Sequence, residues 1–115
     1  MSEAQPSATL PEVKKEPKKA DVKPRKQPPY NVILVNDDDH TYEYVIEMLG
    51  KLFGHDPLKA FKMAQEVDNT GRVIVETTTM ERAELKRDQI HAYGADPRME
   101  KSKGSMRATI EPAPE

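Results

Sequence analysis

Residues 32–45 read VILVNDDDHTYEYV, and an Asn, three Asp and a His follow directly on four apolar residues. Three kinds of chemistry fit such a cluster. The acids could bind a metal ion, perform acid/base catalysis, or end a strand and start a helix while leaving one or two groups for a ligand. Asp37, Asp38, Asp39 and His40 are consecutive. Neighbours in a strand point to opposite faces, and in a helix they lie about 100° apart, so they converge on one ion only in a dedicated loop. The calcium loop needs a Gly at its sixth position and a Glu at its twelfth. Counting from Asp37 gives Tyr42 and Met48 at those positions; counting from Asn36 gives Thr41 and Glu47. Neither frame fits, and no metal or other cofactor is expected. Catalytic residues are not expected either. The chain has no Cys, no Gly-rich phosphate loop and no Ser on a strand-to-helix elbow, and His40, His55 and His91 fall in different predicted elements. The third possibility remains. Asp38 or Asp39 can cap a helix start and meet its positive end. That leaves Asn36 and Asp37, at the end of the strand, without a structural task.

Several elements must position this cluster. YNVILV, from Tyr30, is β-branched and apolar and predicts a central strand. Val45, Met48, Leu49, Leu52 and Phe53 recur at helical spacing, which predicts a helix from the Asp39–Thr41 region to Gly54. Asp56 before Pro57 predicts an N-cap with proline in the first turn. The apolar stripe of this second helix is read as Leu58, Phe61, Ala64 and Val67, with Asn69 and Gly71 closing it. RVIVETT predicts a second strand. Thr78 and Glu81 have capping-box spacing ahead of a third helix, whose stripe is thin: Met80, Ala83, Ile90 and Tyr93. GADPRMEKSKGS is a loop, and MRATIE a last short strand. The expected fold is α/β (an α+β sandwich): a small three-stranded sheet with three helices on one face, in the order β-α-α-β-α-β.

Composition divides the 115 residues unevenly. Residues 1–29 carry seven Lys/Arg and four Asp/Glu, and hold six of the ten Pro; residues 30–115 carry eleven Lys/Arg and sixteen Asp/Glu. The first segment has too few large apolar residues to offset the entropy of ordering, and is expected to be a disordered basic tail. Its acids are interspersed with its lysines and it has no aromatic residue to stack on a base, so a solvated tail is expected and not a nucleic-acid contact. Residues 30–112 form the expected domain and 113–115 a short C-terminal tail. No apolar run approaches the ~18 residues of a membrane span. The N-terminal MSEAQPSATL has no secretory pattern, so a cytoplasmic protein is expected.

YNVILVNDD, EYVIEMLGKLF, VDNTGRVIV and AELKRDQIHAYG resemble, in order and almost without gaps over about residues 28–111, the ClpS family of Clp protease adaptors. The resemblance implies an adaptor that binds proteins by a destabilising N-terminal Leu, Phe, Tyr or Trp and hands them to the N-terminal domain of a Clp ATPase (ClpA or ClpC type), acting as a monomer. It implies that Asn36 and Asp37 hold the substrate α-amino group, with His40 and Tyr42 at the pocket rim. Val45, Ala64, Val67 and Met106 would form the pocket wall, and Glu81 and Lys86 would contact the ATPase. Residues before Tyr30 match the extension engaged during delivery. Three positions depart from the family pattern. Tyr42 replaces a Met that screens out β-branched side chains, Ala64 replaces a larger Met, and Asp68 stands where an amine-contacting His is usual. Asp68 reads either as a second anion for the α-amino group or as a solvated loop acid. A second reading of the whole keeps protease docking and drops N-terminal recognition.

Overall fold

The computed structural model describes residues 27–114. The expected disordered tail lies almost wholly outside these residues. The described chain runs β1 Tyr30–Val35, α1 Tyr42–Phe53, α2 Pro57–Thr70, β2 Arg72–Thr78, α3 Met80–His91 and β3 Arg107–Pro112. This is the expected β-α-α-β-α-β order. The sheet order is β2-β1-β3 with both pairings antiparallel, so β1 is central. The centrality explains its composition: four of its six residues are buried in a row. Val32 and Leu34 face the helices and join Val73, Val75 and Ala108 in the core. Ile33 lies on the other face, which carries no helix among the described residues. There Arg72 on β2 reaches Glu111 on β3 at 2.9 Å. By register that ion pair crosses β1 at the level of Ile33.

Helix boundaries follow local chemistry. Thr41 is the N-cap of α1, and its side chain accepts from the Tyr44 N–H. Neither Asp38 nor Asp39 caps the helix, so that part of the sequence reading is corrected. Gly54 ends α1 with φ of 72°, a left-handed conformation that favours glycine. Asp56 caps α2 through the Lys59 N–H, Pro57 opens it, and Gly71 ends it at φ of 94°, as predicted.

The stripe of α2 differs from the expected one. Ala60, Ala64 and Val67 are buried, whereas Leu58 is 65% exposed and Phe61 39% exposed. The small alanines let α2 pack closely, which rotates the larger side chains to its flank. There Phe61 packs against the Tyr42 ring, centroids 5.8 Å apart.

α3 starts one residue later than expected. Thr78 still belongs to β2, paired with Tyr30, so Thr79 becomes the N-cap and accepts from Arg82. Thr78 and Glu81 therefore form no capping box. The buried positions of α3 are Ala83, Lys86 and Ile90. Met80 is half-buried, and Tyr93 lies beyond the helix, edge-on to Tyr44 at 5.4 Å. β2 carries a bulge between its pairings with Val32 and Ile33, at Val75. The Val75 carbonyl accepts from His55 Nε2 at 2.7 Å. His91 Nε2 accepts from the Ala108 N–H at 3.0 Å. Both histidines thus complete backbone hydrogen bonding.

Candidate functional site

A cavity of about 210 Å³ opens where the end of β1, the start of α1 and the last turns of α2 meet the residue before β3. It is lined by Asn36, Asp37, Asp38, His40, Thr41, Tyr42, Val45, Ala64, Val67, Asp68 and Met106. All nine residues expected for substrate binding therefore converge on one wall set. Asp38 and Thr41 are additions. The volume is below the roughly 300–1,000 Å³ of sites for drug-sized ligands and suits a single side chain.

Each polar group reaches the cavity for a local reason. Asn36 follows the last residue of β1, and its backbone N–H is held by the Gly71 carbonyl at 2.9 Å. Its side-chain amide has no hydrogen-bond partner among the described residues. Asp37 folds back on the chain, its Oδ1 accepting from the Asp39 N–H at 2.9 Å and lying 2.7 Å from His40 Nδ1. His40 Nε2 lies 2.7 Å from the Gly104 carbonyl oxygen. With its side chain only 3% exposed, His40 is committed at both nitrogens and holds Asp37 in place. Asp38 is exposed, and among the described residues its carboxylate has neither a hydrogen bond nor an ion pair. Asp39 points elsewhere, 3.8 Å from Lys101.

Tyr42 and Asp68 face each other, the Tyr42 hydroxyl donating to Asp68 Oδ2 at 2.7 Å. The Asp68 hydrogen bond, assisted by partial burial and the carboxylate charge, raises the Tyr42 hydroxyl above its usual pKa. Below them Val45, Ala64, Val67 and Met106 are buried and form an apolar floor. One end of the site is therefore anionic and wet, and the other apolar.

Asp96, which sequence reasoning missed, fixes the frame. It is 1% exposed. Its Oδ2 accepts from the Thr41 N–H at 2.7 Å and the Thr41 hydroxyl at 2.8 Å, and its Oδ1 from the Arg98 N–H at 2.9 Å. Burial alone would raise its pKa, but the donors of Thr41 and Arg98 outweigh it and hold the carboxyl down at about 2. Thr41 thus caps α1 while Asp96 ties that cap to the 92–106 loop. The only sequence sign was an Asp before a proline in a loop. The cue for Asp38 was Thr41 itself: a threonine one residue before the helix leaves both upstream acids unneeded as caps.

The two residues expected to dock on an ATPase part company. Glu81 is exposed in the first turn of α3. Lys86 is only 9% exposed. Its ammonium donates to the Leu52 carbonyl in the last turn of α1 and sits 5.4 Å from the Phe53 ring centroid. The position complements the negative end of α1. A second open cavity, of about 650 Å³, lies beside Pro28, Pro29 and Glu81. Among the described residues no three His, Asp or Glu side chains gather as a metal site, and no helix is long and apolar enough to cross a membrane.

Comparison with known proteins decides the family. Residues 25–99 match the family described as ATP-dependent Clp protease adaptor protein ClpS. The chain belongs to the ClpS family. It is similar to the ATP-dependent Clp protease adapter protein ClpS of Salmonella arizonae, 36% identical over 78 residues, covering 66% of this chain and 74% of that one. It is similar also to the ClpS of Pectobacterium carotovorum, 37% identical over 76 residues, covering 64% of this chain and 72% of that one. Among solved structures, Agrobacterium tumefaciens ClpS2 bound to L-phenylalaninamide superposes with a TM-score of 0.66 at 22% identity, covering 76% of this chain and all of that one. The ClpS fold accounts for the element order and the single helical layer. The chain is accordingly an adaptor of the Clp protease system.

Proposed function

We propose that this ClpS protein binds substrate proteins through a free N-terminus whose first residue is Leu, Phe, Tyr or Trp, and delivers them to a Clp ATPase-protease. The observation that carries this reading is the polarity of the cavity: carboxylates and an amide at one end, an apolar floor at the other. A protein N-terminus is the one backbone position that carries a cation, with a pKa of about 7.7–8.0. Asp38 and Asp68, with the Asn36 amide oxygen, present acceptors to it, and Asp37 is held behind them by His40. A charge-assisted hydrogen bond is worth about 1.5–3 kcal/mol, and burial of a Leu or Phe side chain a similar amount. Less the cost of association, this suggests affinity on the order of micromolar, which suits a carrier that must release its cargo. The ligand of the Agrobacterium protein, L-phenylalaninamide, combines the same two features, an amine and an aromatic side chain.

In this reading Glu81 meets the N-terminal domain of the ATPase, with the exposed Leu85 one helical turn away on the same face. Lys86 contributes by holding α3 against α1. Residues 1–29 serve delivery, and the protein works as a monomer in the cytoplasm. Deleting residues 1–25 should leave peptide binding intact and abolish degradation by the ATPase-protease; loss of peptide affinity instead would overturn that division of labour. A second reading, docking without N-terminal recognition, draws on the Tyr42–Asp68 bond, which engages one pocket carboxylate internally. Titration with a peptide bearing a free N-terminal Phe separates the two, since only the first expects binding.

A further inference from the structure

Two of the positions where this chain departs from its family, 42 and 68, are hydrogen-bonded to each other at 2.7 Å. They therefore constitute one change and not two. Asp68 is exposed and sits in the last turns of α2, where a carboxylate opposes the helix dipole. Left alone it would sample several rotamers in water. The bond from Tyr42 removes that freedom, and the Tyr42 ring itself packs against Phe61, which like Asp68 belongs to α2. A phenol donates a single hydrogen, whereas a carboxylate has about four acceptor sites on two oxygens. Among the described residues Oδ1 of Asp68 has no hydrogen-bond partner, and it is open at the wall of the cavity that both residues line.

On the reading that the cavity receives a protein N-terminus, we propose that Tyr42 is a positioning residue, whose hydroxyl fixes the Asp68 carboxylate so that its free oxygen receives the substrate α-ammonium group. The two side chains work as one recognition unit joining α1 to α2 across the pocket. Because the hydroxyl is raised above its usual pKa by Asp68, it remains a donor through the whole range in which the amine is charged. A carboxylate thus braced carries a full charge toward the ammonium, where a histidine would offer a neutral acceptor.

The test is calorimetric titration of the full chain with a Phe-initiated peptide and its N-acetylated twin, on wild type, Tyr42→Phe, Asp68→Asn and the double variant. Tyr42→Phe keeps the ring against Phe61 and removes only the hydroxyl, so melting temperature should not move. It should weaken the free-amine peptide about tenfold. The double variant should be no weaker than Asp68→Asn alone, because the hydroxyl acts only through that carboxylate. A silent Tyr42→Phe, or losses that multiply in the double variant, would overturn the pairing while wild type still prefers the free amine. Equal binding of both peptides to wild type would instead overturn the proposed function, and the pairing with it.

Discussion

Asp96 and Asp38 are the same residue type in the same small domain, and they differ in how completely their oxygens are used. Asp96 is buried, accepts from Thr41 and Arg98 on both oxygens, and holds the cap of α1 to the following loop. Asp38 is exposed at the cavity, with no partner among the described residues. Asp68 lies between these extremes, with one side-chain bond among the described residues, from Tyr42. Saturation of a carboxylate marks a structural task, because a buried charge is tolerated only when its acceptors are filled. On the proposed reading, an open carboxylate beside an apolar floor is left for a group that arrives from outside.

That contrast can be broken most severely at Asp96. Asp96→Ala should destabilise the fold by about 2 kcal/mol, since it leaves the part-buried Thr41 and Arg98 donors without their acceptor. Urea unfolding followed by circular dichroism measures this, and a loss below ~1 kcal/mol would mean that water replaces the carboxylate. Next in size is the acid dependence. The folded Asp96 carboxyl, at about 2, lies below its ordinary value of 3.8. The unfolded chain therefore binds more protons in this range. Its contribution of about 2 kcal/mol is present above pH ~4 and is lost as pH falls toward 2. Unfolding free energies of wild type and Asp96→Asn should converge over that window, and parallel curves would count against the assignment.

The open carboxylates should behave oppositely. Asp38→Asn and Asp68→Asn should each weaken a free-amine peptide by about 1.5 kcal/mol while changing unfolding free energy by less than ~0.5 kcal/mol. Should either change fold stability more than binding, the distinction between saturated and open acids would fail. The smallest effects separate the two residues of α3. Lys86→Ala should cost about 1 kcal/mol of stability by freeing the Leu52 carbonyl. Glu81→Ala should leave stability unchanged and reduce capture by the ATPase N-terminal domain in a pull-down. Equal stability losses at both sites would mean that Glu81 has a structural partner.

Much of the fold was readable because its signals are local. Gly54, the Asp56–Pro57 pair and Gly71 mark the ends of two helices from their own backbone requirements, and the apolar run of β1 indicates a central strand. The stripe of α2 was not readable. Leu58 and Phe61 compete with Ala60 as core candidates, and close packing between helices, which periodicity does not encode, decides for the alanine. The cap of α3 was shifted because Thr77, Thr78 and Thr79 are chemically alike, and pairing with β1 decides which of them leaves the sheet.

The site divides in the same way. Asn36 and Asp37 were indicated as cavity residues by their matches to the family, whereas Asp68, which departs from its pattern, was left open between a cavity anion and a solvated acid. The burial of Lys86, the bracing of Asp37 by His40, and the anchoring by Asp96 depend on contacts between residues far apart in sequence. No local pattern announces them. Asp38 was obscured by its capping propensity, which Thr41 makes redundant.

The most direct measurement is isothermal titration of the full chain at pH 7 with two peptides of one sequence beginning with Phe, one with a free amine and one acetylated. Acetylation removes the cation that the open carboxylates are proposed to receive and leaves the aromatic side chain intact. Micromolar binding of the free peptide, with at least about a hundredfold loss on acetylation, is the expected result for two charge-assisted contacts. Equal affinity for the two peptides, or no binding of either, would contradict recognition of a protein N-terminus in this cavity.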